Sequence, residues 1–379
     1  MRTTSVIGVS GLGMVSSLGH SVVSSCAAAR AGILRAFELK DGEDYNHVPG
    51  HEGTVTAHPI RHLTEGFSGL GRLVRLTLPS LEDLRNYSRL SHADLQTAGI
   101  LLNLSDGYFV NALLQREADD TRAPTHDDEP IEGHALLQDE CERLFFPRLC
   151  ELAKVHFHPR YQKVFFGGSA GFASVLKIAF ELLRTRRLER CIVGGVDSLV
   201  DPQALHALAE LGVLKTSNHP VGLMPGEVAA LLLLERRDAA SKRGAQIQAL
   251  LEDPGMESED IHRFSGKPPQ GAPLAKTISH TLLEMEGHSP GLLIGNLNGD
   301  DWKAQEWGNA LIRLPRSIRD TRLWLPALAW GDTGAAVGAV SVCMAVRAFE
   351  RGYAGTTDAL IWLSSESGAK SAFHLQRVA

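Results

Sequence analysis

Residues 162–196 read QKVFFGGSAGFASVLKIAFELLRTRRLERCIVGGV, and this stretch decides the fold. Gln162 to Phe166 is an apolar run of strand length, and a glycine pair follows it. Ala170 to about Arg187 has the spacing of a helix, and Cys191 to Val196 is a second short apolar run. Short apolar strands joined by a helix predict a parallel α/β sheet.

The same order returns late in the chain. Leu325 to Trp330 is predicted as a strand, residues 331–334 (GDTG) as a turn, the small residues up to Phe349 as a helix, and Ala359 to Leu363 as the next strand. Two such units, about 160 residues apart, predict a duplicated α/β architecture. The charged stretch 238–244 would separate an N-terminal half, residues 1–240, from a C-terminal half, residues 241–379.

Bulk composition excludes several classes of protein. The 379 residues are 44% hydrophobic and 22% charged, as in globular proteins, and the formal charge is -6 with a pI near 6.2. This balance offers no basic face for nucleic acid or anionic lipid. There is no apolar run of about 18 residues, and the N-terminus lacks the pattern of a signal peptide. We therefore expect a cytoplasmic protein that binds neither membrane nor nucleic acid.

The cysteines indicate neither disulfides nor zinc. They are odd in number, scattered and without C-x-x-C spacing, at Cys26, Cys141, Cys150, Cys191 and Cys343. We expect small buried apolar side chains. His156 and His158 have no further ligand at suitable spacing, and the Asn/Asp-rich stretch 296–306 lacks the pattern of a calcium loop. We predict no metal and no cofactor.

An acidic stretch interrupts the α/β pattern between Asp106 and Glu132. Acidic residues lie there among proline and threonine, which predicts a surface loop. A solvated insertion is the ordinary interpretation, and a partner surface is the alternative.

Several segments resemble the β-ketoacyl synthases, and they occur in that family's order along nearly the whole chain. Val9 to Gly19 with Ala27 to Ile33 resembles the N-terminal signature, residues 194–197 (GGVD) the Gly-Gly-Val after the nucleophile helix, and residues 222–227 (GLMPGE) the Gly-Phe-Val-x-Gly-Glu segment. The resemblance implies a thiolase-like α/β fold, with two pseudo-repeated halves in α-β-α-β-α layers.

The catalytic positions of that family are not matched. Counting twenty-five residues back from Gly194 places Ser169 where the family has its nucleophilic cysteine. The loop that carries the first histidine is similar to residues 294–302, where Gly295 stands and no histidine occurs, and Asp332 replaces the second histidine. Each lost oxyanion donor costs ~3 kcal/mol of transition-state stabilisation. The resemblance therefore implies a protein without condensing activity, with Asn296, Asn298, Thr333 and Glu366 as possible pocket residues.

Ser169 has two interpretations. Residues 167–171 (GGSAG) fit the Gly-x-Ser-x-Gly nucleophile elbow, which requires a histidine and an acid as partners. Alternatively, Ser169 caps the helix, a reading that Thr333 favours if it holds the analogous place in the second unit. The later histidines, from His206 to His374, lie in no triad motif.

Three functions remain open. The first is a non-catalytic partner or scaffold, as in the chain-length-factor subunits that work beside an active ketosynthase. A narrower resemblance, carried by residues 297–299 and 306–308, is to thiolase-like proteins associated with type VI secretion effectors. The second is a serine acyltransferase or hydrolase using Ser169. The third is a module that binds acyl chains or an acyl carrier protein.

The resemblance also predicts a dimer. Proteins of this family form dimers through the strand before the nucleophile position, which here is Gln162 to Phe166. Without a partner, the edge of this strand would expose unsatisfied backbone N–H and C=O groups. We expect a homodimer, or a heterodimer with a related subunit, and a further protein partner (an effector, adaptor or acyl carrier protein) bound elsewhere.

Overall fold

The computed structural model describes residues 7–39, 53–119, 134–285 and 288–378. The strands are β1 (Ile7–Ser16), β2 (Phe37–Leu39), β3 (Val55–Ala57), β4 (Gly99–Leu104), β5 (Gln162–Phe166), β6 (Arg190–Ser198), β7 (Glu227–Arg236), β8 (Ala249–Leu251), β9 (Gly255–Ser258), β10 (Leu293–Gly295), β11 (Leu323–Trp324), β12 (Asp358–Ser364) and β13 (Ala369–Arg377). The helices are α1 (Val22–Arg30), α2 (Arg61–Thr64), α3 (Gly69–Ser88), α4 (His92–Thr97), α5 (Tyr108–Asp119), α6 (His134–Ala153), α7 (Phe172–Arg184), α8 (Pro202–Glu210), α9 (Arg237–Lys242), α10 (Ala272–Glu284), α11 (Asp301–Arg313), α12 (Arg316–Arg319), α13 (Ala327–Trp330) and α14 (Val337–Glu350). Single 3₁₀ turns, Gly168–Ala170 and Gly334–Ala336, precede α7 and α14.

The large sheet contains the same strand order twice. Its path is β11-β10-β12-β13-β8-β1-β7-β6-β4-β5, with β9 added on β13. From its outer edge inward, the first half-sheet has the order β5-β4-β6-β7-β1, and the second has the order β11-β10-β12-β13-β8. When the strands of each half are numbered along the chain, both orders are third, second, fourth, fifth, first. The two half-sheets meet where β1 pairs with β8, and β5 and β11 are the two edges. The predicted duplication is thus present in the topology; the division at residue 240, which falls in α9, stays a prediction.

Helices form layers around the two half-sheets. Both α7 and α14 contact β6 or β7 of the first half-sheet and β13 of the second, so they lie between the two. Against the first half-sheet pack α3 and α6, and against the second pack α10 and its neighbour α11. The layering is α-β-α-β-α. It places the N-termini of α7 and α14 side by side, with their two 3₁₀ turns in contact.

One predicted strand is wrong. Residues 327–330 form α13, and the strand equivalent to β5 is the two-residue β11, just before Leu325. Pro326 adopts a helical conformation and has no N–H for a ladder, which explains why the strand cannot continue through it. The other predicted strands are confirmed within β5, β6 and β12. Of β5, however, only Val164 is buried, because β5 is an edge strand.

The predicted acidic loop is partly a helix. Residues 108–119 form α5, and α5 packs against α8. Residues 120–133 lie outside the described part of the chain.

Candidate functional site

A left-handed glycine marks the sharp turn between β5 and α7. Gly168 has φ +56°, a conformation that costs non-glycine residues about 1–2 kcal/mol. A Cβ on Gly168 would lie 2.7 Å from the nearest carboxylate oxygen of Asp106, which follows β4. The carboxylate thus occupies the space into which a side chain at this position would project.

The second half of the chain repeats this arrangement. Gly334 has φ +47°, and a Cβ added there would overlap the carboxylate of Asp197, at the end of β6. The Asn103 side-chain amide joins the two turns by donating to the Gly168 carbonyl (2.8 Å) and the Ala335 carbonyl (3.0 Å). Each half therefore has a glycine where the turn is sharpest and an aspartate filling the space beside it.

The equivalence of the turns corrects the prediction that Thr333 is analogous to Ser169. Because Gly168 matches Gly334, Ser169 matches Ala335, and Thr333 matches Gly167. Thr333 is buried, and its hydroxyl has no hydrogen-bond partner among the described residues.

Ser169 is neither a cap nor a member of a triad in this structure. It lies inside the 3₁₀ turn, 4% exposed, and neither that turn nor α7 receives a side-chain cap. The capping hypothesis is therefore wrong. No hydrogen bond connects the Ser169 hydroxyl to any histidine in the described ranges, and the left-handed position of the turn belongs to Gly168. The turn is instead tied down by Ala170, whose N–H donates to the Ser365 hydroxyl at 3.0 Å.

Asp197 carries an unusual carboxyl group. Its Oδ2 accepts the N–H of Ala335 at 2.7 Å, and its Oδ1 accepts the N–H of Ser198 at 2.8 Å. Burial, together with the nearby carboxylates of Asp332 and Asp106, raises the pKa of the Asp197 carboxyl to about 7 despite these hydrogen bonds. Asp197 therefore changes its protonation state near neutral pH.

An acidic network surrounds Asp332, the residue that the sequence predicts in place of the second histidine. The Asp332 carboxylate accepts the N–H of Gly334 (2.9 Å) and the side-chain amide of Asn298 (2.5 Å). Glu366 forms a buried ion pair with Lys303 of α11, with 2.8 Å between Oε1 and Nζ. Burial alone would lower the pKa of the Lys303 ammonium, but the carboxylates of Glu366 and Asp332 outweigh it and hold that pKa above its usual value. Three of the predicted residues, Asn298, Asp332 and Glu366, are thus brought together.

Gly295 and Asn296 have packing roles. A Cβ on Gly295 would overlap the indole ring of Trp362, so no larger residue fits there. The Asn296 side chain forms a two-bond bridge with the Ser364 backbone, donating to its carbonyl at 2.8 Å and accepting its N–H at 2.9 Å. The Asn296 side chain therefore links the end of β10 to β12.

The segment 259–266 connects the loops around this network. The Tyr108 hydroxyl lies 2.9 Å from His262 Nδ1 and accepts the N–H of Phe264 at 3.2 Å. The Arg263 guanidinium pairs with Asp300, and the backbone N–H of Arg263 donates to the Glu366 carbonyl at 3.1 Å. This strap, residues 259–266, thereby holds three loops in one arrangement.

A cavity beside Asp197 is small. It lies among α3, α5, α6 and α8, is lined largely by apolar side chains that include Phe166, and has a volume of about 60 Å³. Pockets for small molecules usually measure about 300–1,000 Å³. The cavity is therefore too small for an acyl chain in this conformation.

The residues that sequence reasoning missed are Asp106, Lys303, Arg263 and Tyr108. One signal for Lys303 was available. Residues 303, 306, 307 and 310 share one face of α11, and this face places Lys303 and Glu306 beside Trp307 and Ala310. Two charged residues on an apolar face predict a buried ionic network. The approach of Asp106 to Gly168 had no sequence signal.

Metal and membrane features can be stated for the described ranges. They contain no group of three or more His, Cys, Asp or Glu residues that could hold a metal ion. All five cysteines are free, and Cys150 alone among them is not fully buried. No helix in the same ranges is long and apolar enough to cross a membrane.

Three solved structures share this architecture. The ishigamide ketosynthase/chain length factor superposes with a TM-score of 0.73 at 16% identity, covering 100% of both chains. A type II PKS acyl-carrier protein in complex with its ketosynthase bound to the hexaketide (AntDE:AntF, apo) gives 0.74 at 17% identity, again over 100% of both chains. The oxazolomycin ketosynthase domain OzmH KS7 of Streptomyces albus JA3453 gives 0.72 at 14% identity, over 99% of this chain and 74% of that one.

At these identities the likeness concerns the fold. No protein-family model and no curated protein matches the chain. The chain has the thiolase-like α/β fold of ketosynthases, as its sequence motifs implied.

Proposed function

We propose that this protein is a non-condensing ketosynthase-like subunit that acts through protein partners, the first of which is a second chain of the same fold. The observation that carries the proposal is the turn between β5 and α7. A nucleophile elbow holds its nucleophile at the strained residue of such a turn; here that residue is Gly168 rather than the Ser169 reached by counting, and the Asp106 carboxylate occupies the space of a side chain there. A glycine has no side chain to accept an acyl group.

The surrounding charges oppose condensation as well. Thioester condensation develops negative charge on a carbonyl oxygen, and hydrogen-bond donors aimed at that oxygen lower the barrier. Here Asp106, Asp197, Asp332 and Glu366 surround the two turns, and the Lys303 ammonium is already paired with Glu366. Carboxylates would repel the developing charge.

The edge strand β5 supports the partner proposal. It pairs on one side only, with β4, and Phe165 and Phe166 are half-buried on the single chain. A paired edge would satisfy its backbone groups and cover both rings. Two of the similar structures are, by their names, a ketosynthase/chain length factor and an acyl-carrier protein complex. A related ketosynthase subunit is therefore our first candidate partner, and an acyl carrier protein the second.

Light scattering of the purified protein, alone and with a candidate ketosynthase subunit, tests the partner role. We expect a twofold assembly that Phe165→Glu disrupts by placing a charge in the seam. The matched control is Leu283→Glu on α10, where the leucine is 76% exposed and far from β5 in the fold. A strictly monomeric wild-type protein that also retrieves no partner from its native cell would defeat the proposal.

The catalytic half of the proposal has a separate test. Incubation with malonyl and acyl carrier thioesters should give no condensed product by mass spectrometry. Neither Ser169→Cys nor Gly168→Cys should create activity, because Gly295 and Asp332 stand at the two positions where the resemblance expects a histidine. Condensed product from the wild-type protein or from either variant contradicts it.

Two alternative functions have their own tests. A serine hydrolase would be labelled by a fluorophosphonate at Ser169, with labelling lost in Ser169→Ala; the absence of a bonded histidine argues for no labelling. A role with type VI secretion effectors is the narrower alternative, and it would appear as effector or adaptor proteins in the same pulldown.

A further inference from the structure

A second cavity lies at the opposite end of α14 from the two turns. It has a volume of about 510 Å³, within the range usual for small-molecule pockets (about 300–1,000 Å³). One wall is a face of α1, where Val23, Cys26, Ala27 and Arg30 follow helical spacing. The C-terminal end of α14, with Arg347 and Arg351, and Tyr353 form the other wall.

The charge of this cavity is one-sided. Three arginines line it and no carboxylate does, in a protein of net charge -6. Arg30 stacks on the Tyr353 ring, 4.4 Å from its centroid, which leaves the in-plane N–H groups of the guanidinium open. No ion pair or hydrogen bond joins the Arg30 or Arg351 side chain to another residue of the described ranges.

Arg347 is the buried cation of the cavity. Its side chain is 5% exposed; one terminal nitrogen pairs with Glu350 and lies 3.3 Å from the Tyr87 hydroxyl. Its Nε has no hydrogen-bond partner among the described residues. A buried guanidinium nitrogen without a partner is costly, so an acceptor brought to this guanidinium would be favourable.

Helix ends explain part of this pattern. Arg30 and Arg347 lie in the last turns of α1 and α14, where cations offset the partial negative charge of the helix. That role requires neither a cavity between the helices nor an unpartnered Nε.

We propose that this cavity binds a small organic anion, with a phosphate or carboxylate head on the three arginines and a short apolar body against Val23, Ala27 and Ala31. Planar guanidinium groups bind either head through paired N–H bonds. The site is separate from the two turns and does not depend on the function proposed for them.

Isothermal titration with hexyl phosphate, hexanoate, inorganic phosphate and neutral hexanol tests the inference. We expect hexyl phosphate to bind with a Kd below about 1 mM, more tightly than inorganic phosphate, and more weakly as salt rises. Comparison of hexyl phosphate with hexanoate identifies the preferred head, and hexanol should not bind.

The variant Arg30→Gln/Arg351→Gln should weaken binding by at least about tenfold, because two charge-assisted contacts are lost. Both side chains are exposed, so the double variant should still fold, and Arg313→Gln on α11 serves as the control. Saturable binding lost in the double variant supports the site. No binding by any of the three anions, or equal binding in the double variant, overturns it.

Discussion

The substitution Gly168→Ala tests whether the Asp106 carboxylate fills the space that a side chain at position 168 would need. The substitution has two costs. The left-handed conformation at φ +56° costs alanine about 1–2 kcal/mol relative to glycine. Crowding of the new Cβ against the carboxylate, 2.7 Å away, adds about 1–3 kcal/mol. We expect Gly168→Ala to lower the free energy of unfolding by about 2–5 kcal/mol.

Two other glycines separate these costs. Gly32, just after α1, has φ +70° and no atom within 4 Å of an added Cβ, so Gly32→Ala should cost only the conformational part, about 1–2 kcal/mol. Gly334→Ala should cost the most of the three, because the Asp197 carboxylate is held by two N–H groups and cannot move aside.

A double-mutant cycle isolates the contact itself. In an Asp106→Ala background the crowding disappears, and the cost of Gly168→Ala should fall by at least about 1 kcal/mol, to near that of Gly32→Ala. Urea unfolding followed by circular dichroism gives all the values. Our reasoning is refuted if Gly168→Ala costs no more than Gly32→Ala, or if the Asp106→Ala background leaves its cost unchanged.

Three further outcomes are expected. The folded-state pKa of Asp197 (about 7) lies above its unfolded value of 3.8, so the stability contributed by the neutral carboxyl is complete below pH 4 and is lost as pH rises through 7. Between pH 5 and 7 the free energy of unfolding of the wild type should fall by ~2–3 kcal/mol, and that of Asp197→Asn should not. Urea unfolding at each pH measures both. Desolvation lowers the pKa of His374, but its ion pairs with Glu252 (3.2 Å) and Asp358 (3.5 Å) outweigh desolvation and raise that pKa to about 9. The stabilisation from the charged His374 is complete below pH 6.5 and is lost as pH rises through 9. His374→Gln should therefore remove ~1–3 kcal/mol at pH 6 and little at pH 10, and equal losses at both would contradict this. Lys303→Met should destabilise by ~3–5 kcal/mol, because it leaves Glu366 buried without its partner, whereas Lys303→Met/Glu366→Leu should recover most of that loss in the same assay.

The sequence alone determined the class of fold, and it predicts that the catalytic residues of the ketosynthases are replaced. Apolar runs, glycine turns and helical spacing are local properties, and they correctly placed β5, β6, α7 and α14 and indicated the duplication. The failure near Leu325 was also local, because Pro326 already argues against a strand there. Counting from Gly194 led to Ser169 in the turn between β5 and α7, one residue after the left-handed Gly168.

The tertiary structure decided which side chains surround the two turns. Which residue of the turn has positive φ depends on how β5 enters α7 against its neighbours, and counting cannot reveal it. Asp106 reaches Gly168 because β4 and β5 are adjacent parallel strands, and Asp197 reaches Gly334 because α14 crosses from the second half of the chain to β6. These contacts join residues far apart in sequence, so they follow from the packing of the layers and leave no periodicity in the chain.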